Sequence, residues 1–238
     1  TPDWRGTCAI CLEVLPIYGV TFYSCCCKSI CTACHAKCIE FDERCPLCRA
    51  PARKSDAEWM RRIQAHVDKG NADAQIALAN KYRVGLMGLK KSAKRAFQLY
   101  ALAAAQGHAK SQFTLAQCYE YGHGAKIDYK IAAKWYRRAA EQGFPHAQCD
   151  IGAIVYSGKG VAQSFDEAVR WYRLAAAQGV PEALYNLGAS YEHGQGAPQD
   201  LGHALRLYSR AAAKGLAGAA AKVERLAARL AARPGRPA

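Results

Sequence analysis

The 238-residue chain has no uninterrupted apolar run of about eighteen residues, so no segment of it is expected to cross a membrane. No basic-then-apolar leader starts at Thr1, and the chain is read as soluble; Thr1 itself suggests that residues precede it. Acidic side chains are scarce: 19 Asp and Glu stand against 33 Lys and Arg, a formal charge of +14. That excess favours solubility and acidic partners but does not by itself name nucleic acid. Outside the C-terminal tail no basic run carries interleaved aromatics, so nucleic acid is not the expected partner. Beyond residue 55 no catalytic constellation stands out. His108, His123, His146, His193 and His203 are scattered, without paired ligand spacing. The Gly-x-Gly motifs at Gly122, Gly158 and Gly194 fall between helical segments rather than after a strand, which removes a nucleotide-binding reading.

What the chain does have is a crowd of cysteines. Ten of its 12 lie between Cys8 and Cys48. They come as Cys8-x2-Cys11, Cys31-x2-Cys34 and Cys45-x2-Cys48, with a cluster at Cys25, Cys26 and Cys27. The two-residue gap is that of tight turns that aim two thiolates at one metal. Three such pairs and the cluster supply four pairs, enough for two tetrahedral sites of four thiolates each, and zinc is favoured over a disulfide scaffold. A segment this short hardly buries a core of its own, so the metal would supply its folding energy. Two Zn²⁺ ions on eight thiolates lower the formal charge to about +10. Reduced thiolates imply cytoplasm or nucleus rather than a secretory compartment.

The run Cys8-Ala-Ile-Cys11, thirteen residues, Cys25-x-Cys27, Cys31-Thr-Ala-Cys34, ten residues, Cys45-Pro-Leu-Cys48-Arg49 resembles an all-cysteine RING finger. The resemblance implies a cross-braced module in which Cys8, Cys11, Cys31 and Cys34 hold one zinc and Cys25, Cys27, Cys45 and Cys48 the other. Cys25 with Cys26 is the competing choice. The family's usual histidine is absent, and His35 reads as a solvated side chain. A RING finger carries no nucleophile: it grips a ubiquitin-conjugating enzyme and holds the thioester-linked ubiquitin for attack, which is catalysis by positioning. By resemblance, Ile10, Pro46 and Leu47 form the apolar shelf for the conjugating enzyme. Arg49 falls at the linchpin position, where a guanidinium's fixed fork of donors suits bridging enzyme and ubiquitin. Against activity stands Cys38, where many active members have tryptophan; Ile39 or Phe41 are candidates to fill that groove.

Residues 50–54 are short, basic and proline-containing, which suits a linker closing a 1–54 module. Ser55-Asp-Ala-Glu58 then reads as a capping box opening a helix over 55–69, with Trp59, Ile63, His66 and Val67 as its apolar stripe. Internal repetition organises the remainder. Glycines recur at Gly70, Gly107, Gly143, Gly179 and Gly215, spaced by 37, 36, 36 and 36. In register with them stand a tiny residue at Ala79, Ala116, Gly152 and Gly188, and a glycine at Gly85, Gly122, Gly158 and Gly194. The second half of each unit carries Leu99-Tyr100, Trp135-Tyr136, Trp171-Tyr172 and Leu207-Tyr208, each followed by an Ala-Ala pair. Tiny residues at fixed positions let helix axes approach, and each Trp/Leu-Tyr pair is expected to fill space toward the next unit. One pair cannot bury its apolar face alone, so stacking supplies the core.

The pattern Ala-x-Gln-x-x-Leu-Gly, Gly-x-Gly and Trp-Tyr-x-x-Ala-Ala-x-x-Gly is similar to Sel1-like repeats. That resemblance implies a mostly α, tetratricopeptide-related solenoid that binds proteins, in four units at 70–106, 107–142, 143–178 and 179–215. The first unit is the most divergent, with Met87 in place of the second glycine of Gly-x-Gly. A closing helix from 216 to about 233 heads the segment 216–238, with Arg225, Arg229 and Arg233 on a face expected to be solvated. Cys118 and Cys149, within first helices, are expected to be buried thiols. Two functions follow as expectations. One is a RING-type ubiquitin-protein ligase whose solenoid recruits a protein substrate. The other is a non-catalytic zinc-containing adaptor.

Overall fold

The computed structural model describes residues 20–23, 28–31 and 55–232. The first two stretches are strands β1 (Val20–Tyr23) and β2 (Lys28–Cys31), an antiparallel pair in register Val20↔Cys31 to Tyr23↔Lys28. Sequence reading gave no hint of this hairpin. The other elements described are helices joined by turns and short loops: α1 (Asp56–Asp68), α2 (Ala72–Val84), α3 (Ala93–Ala105), α4 (Ala109–Tyr121), α5 (Tyr129–Glu141), α6 (Pro145–Ser157), α7 (Phe165–Ala177), α8 (Pro181–His193), α9 (Leu201–Ala213) and α10 (Ala219–Ala231). None of these is long and apolar enough to cross a membrane.

Local chemistry sets the helix ends. Ser55 Oγ accepts from Glu58 N at 3.2 Å to start α1, while the Glu58 carboxylate also pairs with Arg62 one turn on. Ser92, Ser164 and Asp200 cap α3, α7 and α9 in the same way. Pro145 and Pro181 stand at the first position of α6 and α8, where the missing N–H is no loss. Helices α2, α4, α6 and α8 all stop on a left-handed glycine. The closing helix is shorter than expected, because Gly218 at φ +80° delays its start to Ala219.

The chain forms two compact units, Thr1–Asp128 and Tyr129–Ala238. In the first, α1 packs on α2, α2 on α3 and α3 on α4. Its core begins with Trp59, Ile63, Ala74 and Leu78, joined by the part-buried Met87 and Leu99. Ala79, Ala96, Tyr100 and Cys118 continue it. In the second unit each helix from α5 to α10 packs on its successor, and Leu201, Ala204, Tyr208 and Leu226 close the end. Burying each such Leu, Ile or aromatic side chain contributes about 1.5–3 kcal/mol.

The four tyrosines at positions 100, 136, 172 and 208 are all buried, but the residues before them are not uniformly so. Trp135 lies under the Arg138 guanidinium, and Trp171 donates its indole N–H to Glu167 at 3.2 Å. Both indoles stay part-exposed, Trp171 with its polar edge bonded and Trp135 with its face covered by a cation. The tyrosine rings fill the gap inside their own helix pair: a Cβ on Gly152 would lie 2.7 Å from the Tyr172 ring, and one on Gly188 3.0 Å from Tyr208. The second glycine of Gly-x-Gly is a close approach of another kind. At Gly196, φ is +70° and a Cβ would meet the Phe165 carbonyl oxygen at 2.2 Å. Met87, which replaces that glycine in the first repeat, keeps the same left-handed backbone at φ 61°. It spends its side chain on the Trp59 cluster instead.

Candidate functional site

Cys8, Cys11, Cys25, Cys27, Cys34, Cys45 and Cys48 lie outside the described residues, as do the alternatives Cys26 and Cys38 and the contact candidates Ile10, Pro46, Leu47 and Arg49. Cys31 is described by its backbone alone, as the last residue of β2. In sequence, β1 and β2 flank the three neighbouring cysteines. Among the described residues no cluster of three or more His, Cys, Asp or Glu side chains gathers at one point.

A concavity formed by described residues belongs to the first unit. It is a groove of about 720 Å³ between α2, α3 and α4. Its floor is apolar, made by Ala96, Tyr100 and Cys118, all buried members of one core cluster. Burial pushes the Cys118 thiol up to about 11, which makes it a packed apolar group rather than a nucleophile. Burial also raises the Tyr100 phenol, against the charge and hydrogen bond of Arg83, which pull it back. Arg83, Lys91 and Lys110 supply the exposed wall, and no carboxylate is among the lining residues. Asn80, Thr114 and Gln117 add neutral hydrogen-bonding groups. Tyr100 donates to Asn80 Oδ1 at 2.7 Å, which occupies the oxygen and leaves the amide NH₂ end to donate. At the mouth, Tyr121 lies 6.0 Å from the His123 ring.

In the second unit the polar chemistry is inward and satisfied. Glu192, only 4% exposed, accepts from Tyr208 Oη at 2.7 Å, Lys222 Nζ at 2.9 Å and Arg225 Nη2 at 3.2 Å. Burial alone would raise this carboxyl, but the Lys222 and Tyr208 hydrogen bonds and the Lys222 charge outweigh it and hold the group at about 2. Arg225 reaches Glu192 while its own side chain stays 65% exposed, so with the exposed Arg229 it lies on the expected solvated face; Arg233 lies outside the described residues. A second device recurs within repeats, tying the end of the second helix back to the start of the first. Gln106 donates to Gly70 O and Gln75 Oε1, and Gln178 donates to Gly143 O and Gln148 Oε1.

Sequence reading missed the groove and the Glu192 clamp. Arg83, Lys91 and Lys110 are far apart along the chain and match no motif. Their signal is positional: at the places equivalent to Arg83 the other repeats carry Glu120, Tyr156 and Glu192. Cys118 and Cys149 are buried within α4 and α6, and burial pushes Cys149 up to about 12.

The Sel1 repeat family matches the chain at residues 72–108, 109–144, 145–180 and 181–216. Among solved structures, c5321, a protective antigen of uropathogenic Escherichia coli strains displaying an SLR fold, aligns with a TM-score of 0.69 at 31% identity. That alignment covers 71% of this chain and 36% of c5321. A Sel1 repeat protein from Oxalobacter formigenes aligns at 0.66 and 36% identity, covering 70% of this chain and 66% of that one. Chitin synthase regulatory factor 1 of Schizosaccharomyces pombe is 45% identical over 62 residues, 26% of this chain and 14% of the relative. The chain thus spans less than two thirds of each of these proteins. With four consecutive matched repeats and the helix pairs to go with them, the chain belongs to the Sel1 repeat family.

Proposed function

We propose that this chain is a RING-type ubiquitin-protein ligase whose Sel1 repeats hold the protein substrate while the cysteine-rich segment engages a charged ubiquitin-conjugating enzyme. Protein binding is the function to which a helix-pair stack is suited. The finer reading is carried by one observation: the ordered spacing of Cys8, Cys11, Cys25, Cys27, Cys31, Cys34, Cys45 and Cys48, ending on Arg49. Eight thiol donors in four close pairs suit two Zn²⁺ ions, whose contribution is to fold the segment rather than to react. Ile10, Pro46 and Leu47 bind the conjugating enzyme, and Arg49 orients ubiquitin's thioester toward an incoming lysine. The reduced thiolates that this requires fit the cytoplasm or nucleus.

The test is single-turnover discharge of ubiquitin from a panel of loaded conjugating enzymes to free lysine, with zinc content measured for every variant. Wild-type protein accelerates discharge with at least one enzyme. Ile10→Ala weakens the encounter by roughly 5- to 150-fold, as loss of an apolar anchor worth about 1–3 kcal/mol does. Arg49→Ala leaves binding of the uncharged enzyme nearly unchanged but slows discharge. Cys38, at the position where tryptophan is common in active RING fingers, favours a second reading, a zinc-containing adaptor without transfer activity. A panel in which no enzyme is accelerated selects it.

A further inference from the structure

We infer that the groove between α2, α3 and α4 is the docking site for an acidic, extended protein segment, held by Arg83, Lys91 and Lys110. The inference rests on the protein-binding reading of the repeats and names the chemistry of the partner.

Three observations converge on it. The first is charge. Three cationic side chains line one concavity with no carboxylate among the lining residues, and among the described residues none of the three is in an ion pair. An anionic guest would meet three positive charges along one concavity and no negative one. The second is position. Places equivalent to Lys110 carry Asp73, His146 and Glu182 in the other repeats, and those equivalent to Lys91 carry Ile127, Gln163 and Gln199. The basic set is thus peculiar to this groove and not a by-product of the repeat. At Glu192, the counterpart of Arg83, the opposite charge is already neutralised by Lys222 and Arg225. The third is the floor and the neutral groups. Tyr100, Ala96 and Cys118 offer apolar contact for one aliphatic or aromatic side chain, while Asn80 and Gln117 offer amide groups to a peptide backbone. A groove of about 720 Å³ holds a short stretch of chain rather than a folded surface.

The experiment is fluorescence polarisation on the full zinc-loaded chain. The probe is a labelled peptide of about twelve residues in which Glu-Asp-Leu is repeated, with its Gln-Asn-Leu counterpart and a labelled oligouridylate for comparison. The acidic peptide is expected to bind at least about tenfold more tightly than the neutral one, and to weaken as salt rises. Arg83→Glu with Lys110→Glu should weaken it about tenfold or more, and the milder Arg83→Gln with Lys110→Gln should weaken it in the same direction. Both residues are exposed, and a helical melt of each variant confirms that the repeats are folded. The control, Lys134→Glu with Arg138→Glu on α5, should change binding less than about threefold. The inference is overturned if the two charge-reversed proteins lose binding equally, if the groove variants bind as wild type does, or if oligouridylate binds more tightly than the peptide. None of these readouts involves ubiquitin. Failure here therefore leaves the ligase reading standing, and failure of discharge leaves the groove standing.

Discussion

Tyr208 donates its phenolic hydrogen to the buried carboxylate of Glu192 across 2.7 Å, and Lys222 from the closing helix meets the same oxygen from 2.9 Å. The last repeat is thus fastened to α10 by a carboxylate that must be charged. Its folded-state pKa of about 2 lies below the ordinary 4.5, so its contribution to stability is complete above about 4.5 and is lost as pH falls through about 2. Glu192→Gln keeps the shape and removes the charge. Urea unfolding followed by circular dichroism should show a loss of about 1.5–3 kcal/mol at neutral pH, the value of hydrogen bonds to a charged group. The gap between variant and wild type should narrow steadily below pH 4.5. An equal gap at neutral pH and at the acid end would mean that the charge is not what holds the helix.

Gly152 and Gly202 make opposite predictions for the same substitution. A Cβ at Gly152 would stand 2.7 Å from the Tyr172 ring, whereas one at Gly202 makes only ordinary contacts, with Asp200 Oδ1 at 3.4 Å and Arg206 Nη1 at 3.9 Å. Alanine gains about 1 kcal/mol over glycine in a helix, and overpacking costs about 1–3 kcal/mol. Gly202→Ala should therefore be neutral to slightly stabilising, and Gly152→Ala should destabilise. Adding Tyr172→Leu to Gly152→Ala should recover part of the loss. Thermal melts of the variants distinguish this from a plain propensity effect, under which both glycine substitutions would stabilise.

Gln148 and Gln178 are a matched pair, and the fourth repeat shows what replaces them. There the equivalent positions are Leu184 and Lys214, an apolar residue and a cation that need no mutual hydrogen bond. Gln178→Ala takes away the donor to the buried Gln148 Oε1 and to Gly143 O, and should cost about 1–3 kcal/mol. Gln148→Leu with Gln178→Lys, which copies the fourth repeat, should lose less than Gln178→Ala alone. A double substitution worse than the single one would show that the two positions are not coupled in this way.

The repeats were legible because their signals are local and periodic. The glycines that end α2, α4, α6 and α8, the Ser55 cap and the buried tyrosines all sit at fixed offsets that a reader can count. Other features depend on which side chains meet after the helices stack, and no offset encodes them. Arg83, Lys91 and Lys110 converge only because α2, α3 and α4 pack in succession. Arg225 stands on the solvated face that its helical spacing suggested, but its partner Glu192 lies 33 residues away and no offset names it. The Trp-Tyr pair misled in a smaller way. Both residues are large and aromatic, yet only the tyrosine is consistently buried, since the indole N–H and the stacked arginine prefer the rim. The β1–β2 hairpin gave no sequence signal that was read, set as it is among cysteines whose spacing took precedence.

Metal content separates the cysteine-rich segment from the repeats. The purified chain should carry two Zn²⁺ ions by elemental analysis. On the proposed reading, in which metal binding folds the cysteine-rich segment and stacking folds the repeats, a chelator should unfold residues 8–48 and leave helical circular dichroism largely intact. Cys26→Ser should keep both ions, whereas Cys27→Ser should lose one. Loss on Cys26→Ser with retention on Cys27→Ser would assign the adjacent pair Cys25 and Cys26 instead.

The division of labour between the two parts is tested most directly by one ubiquitination reaction with two readouts. A lysine-bearing reporter fused to the acidic peptide is supplied with an excess of free lysine, a loaded conjugating enzyme and the full chain. Transfer to the reporter and discharge to free lysine are then followed together. Wild-type protein should drive both. Arg83→Glu with Lys110→Glu should lose reporter modification and keep discharge, and Arg49→Ala should slow both. Discharge that never rises above the rate without the chain, for any conjugating enzyme in a broad panel, would contradict the account.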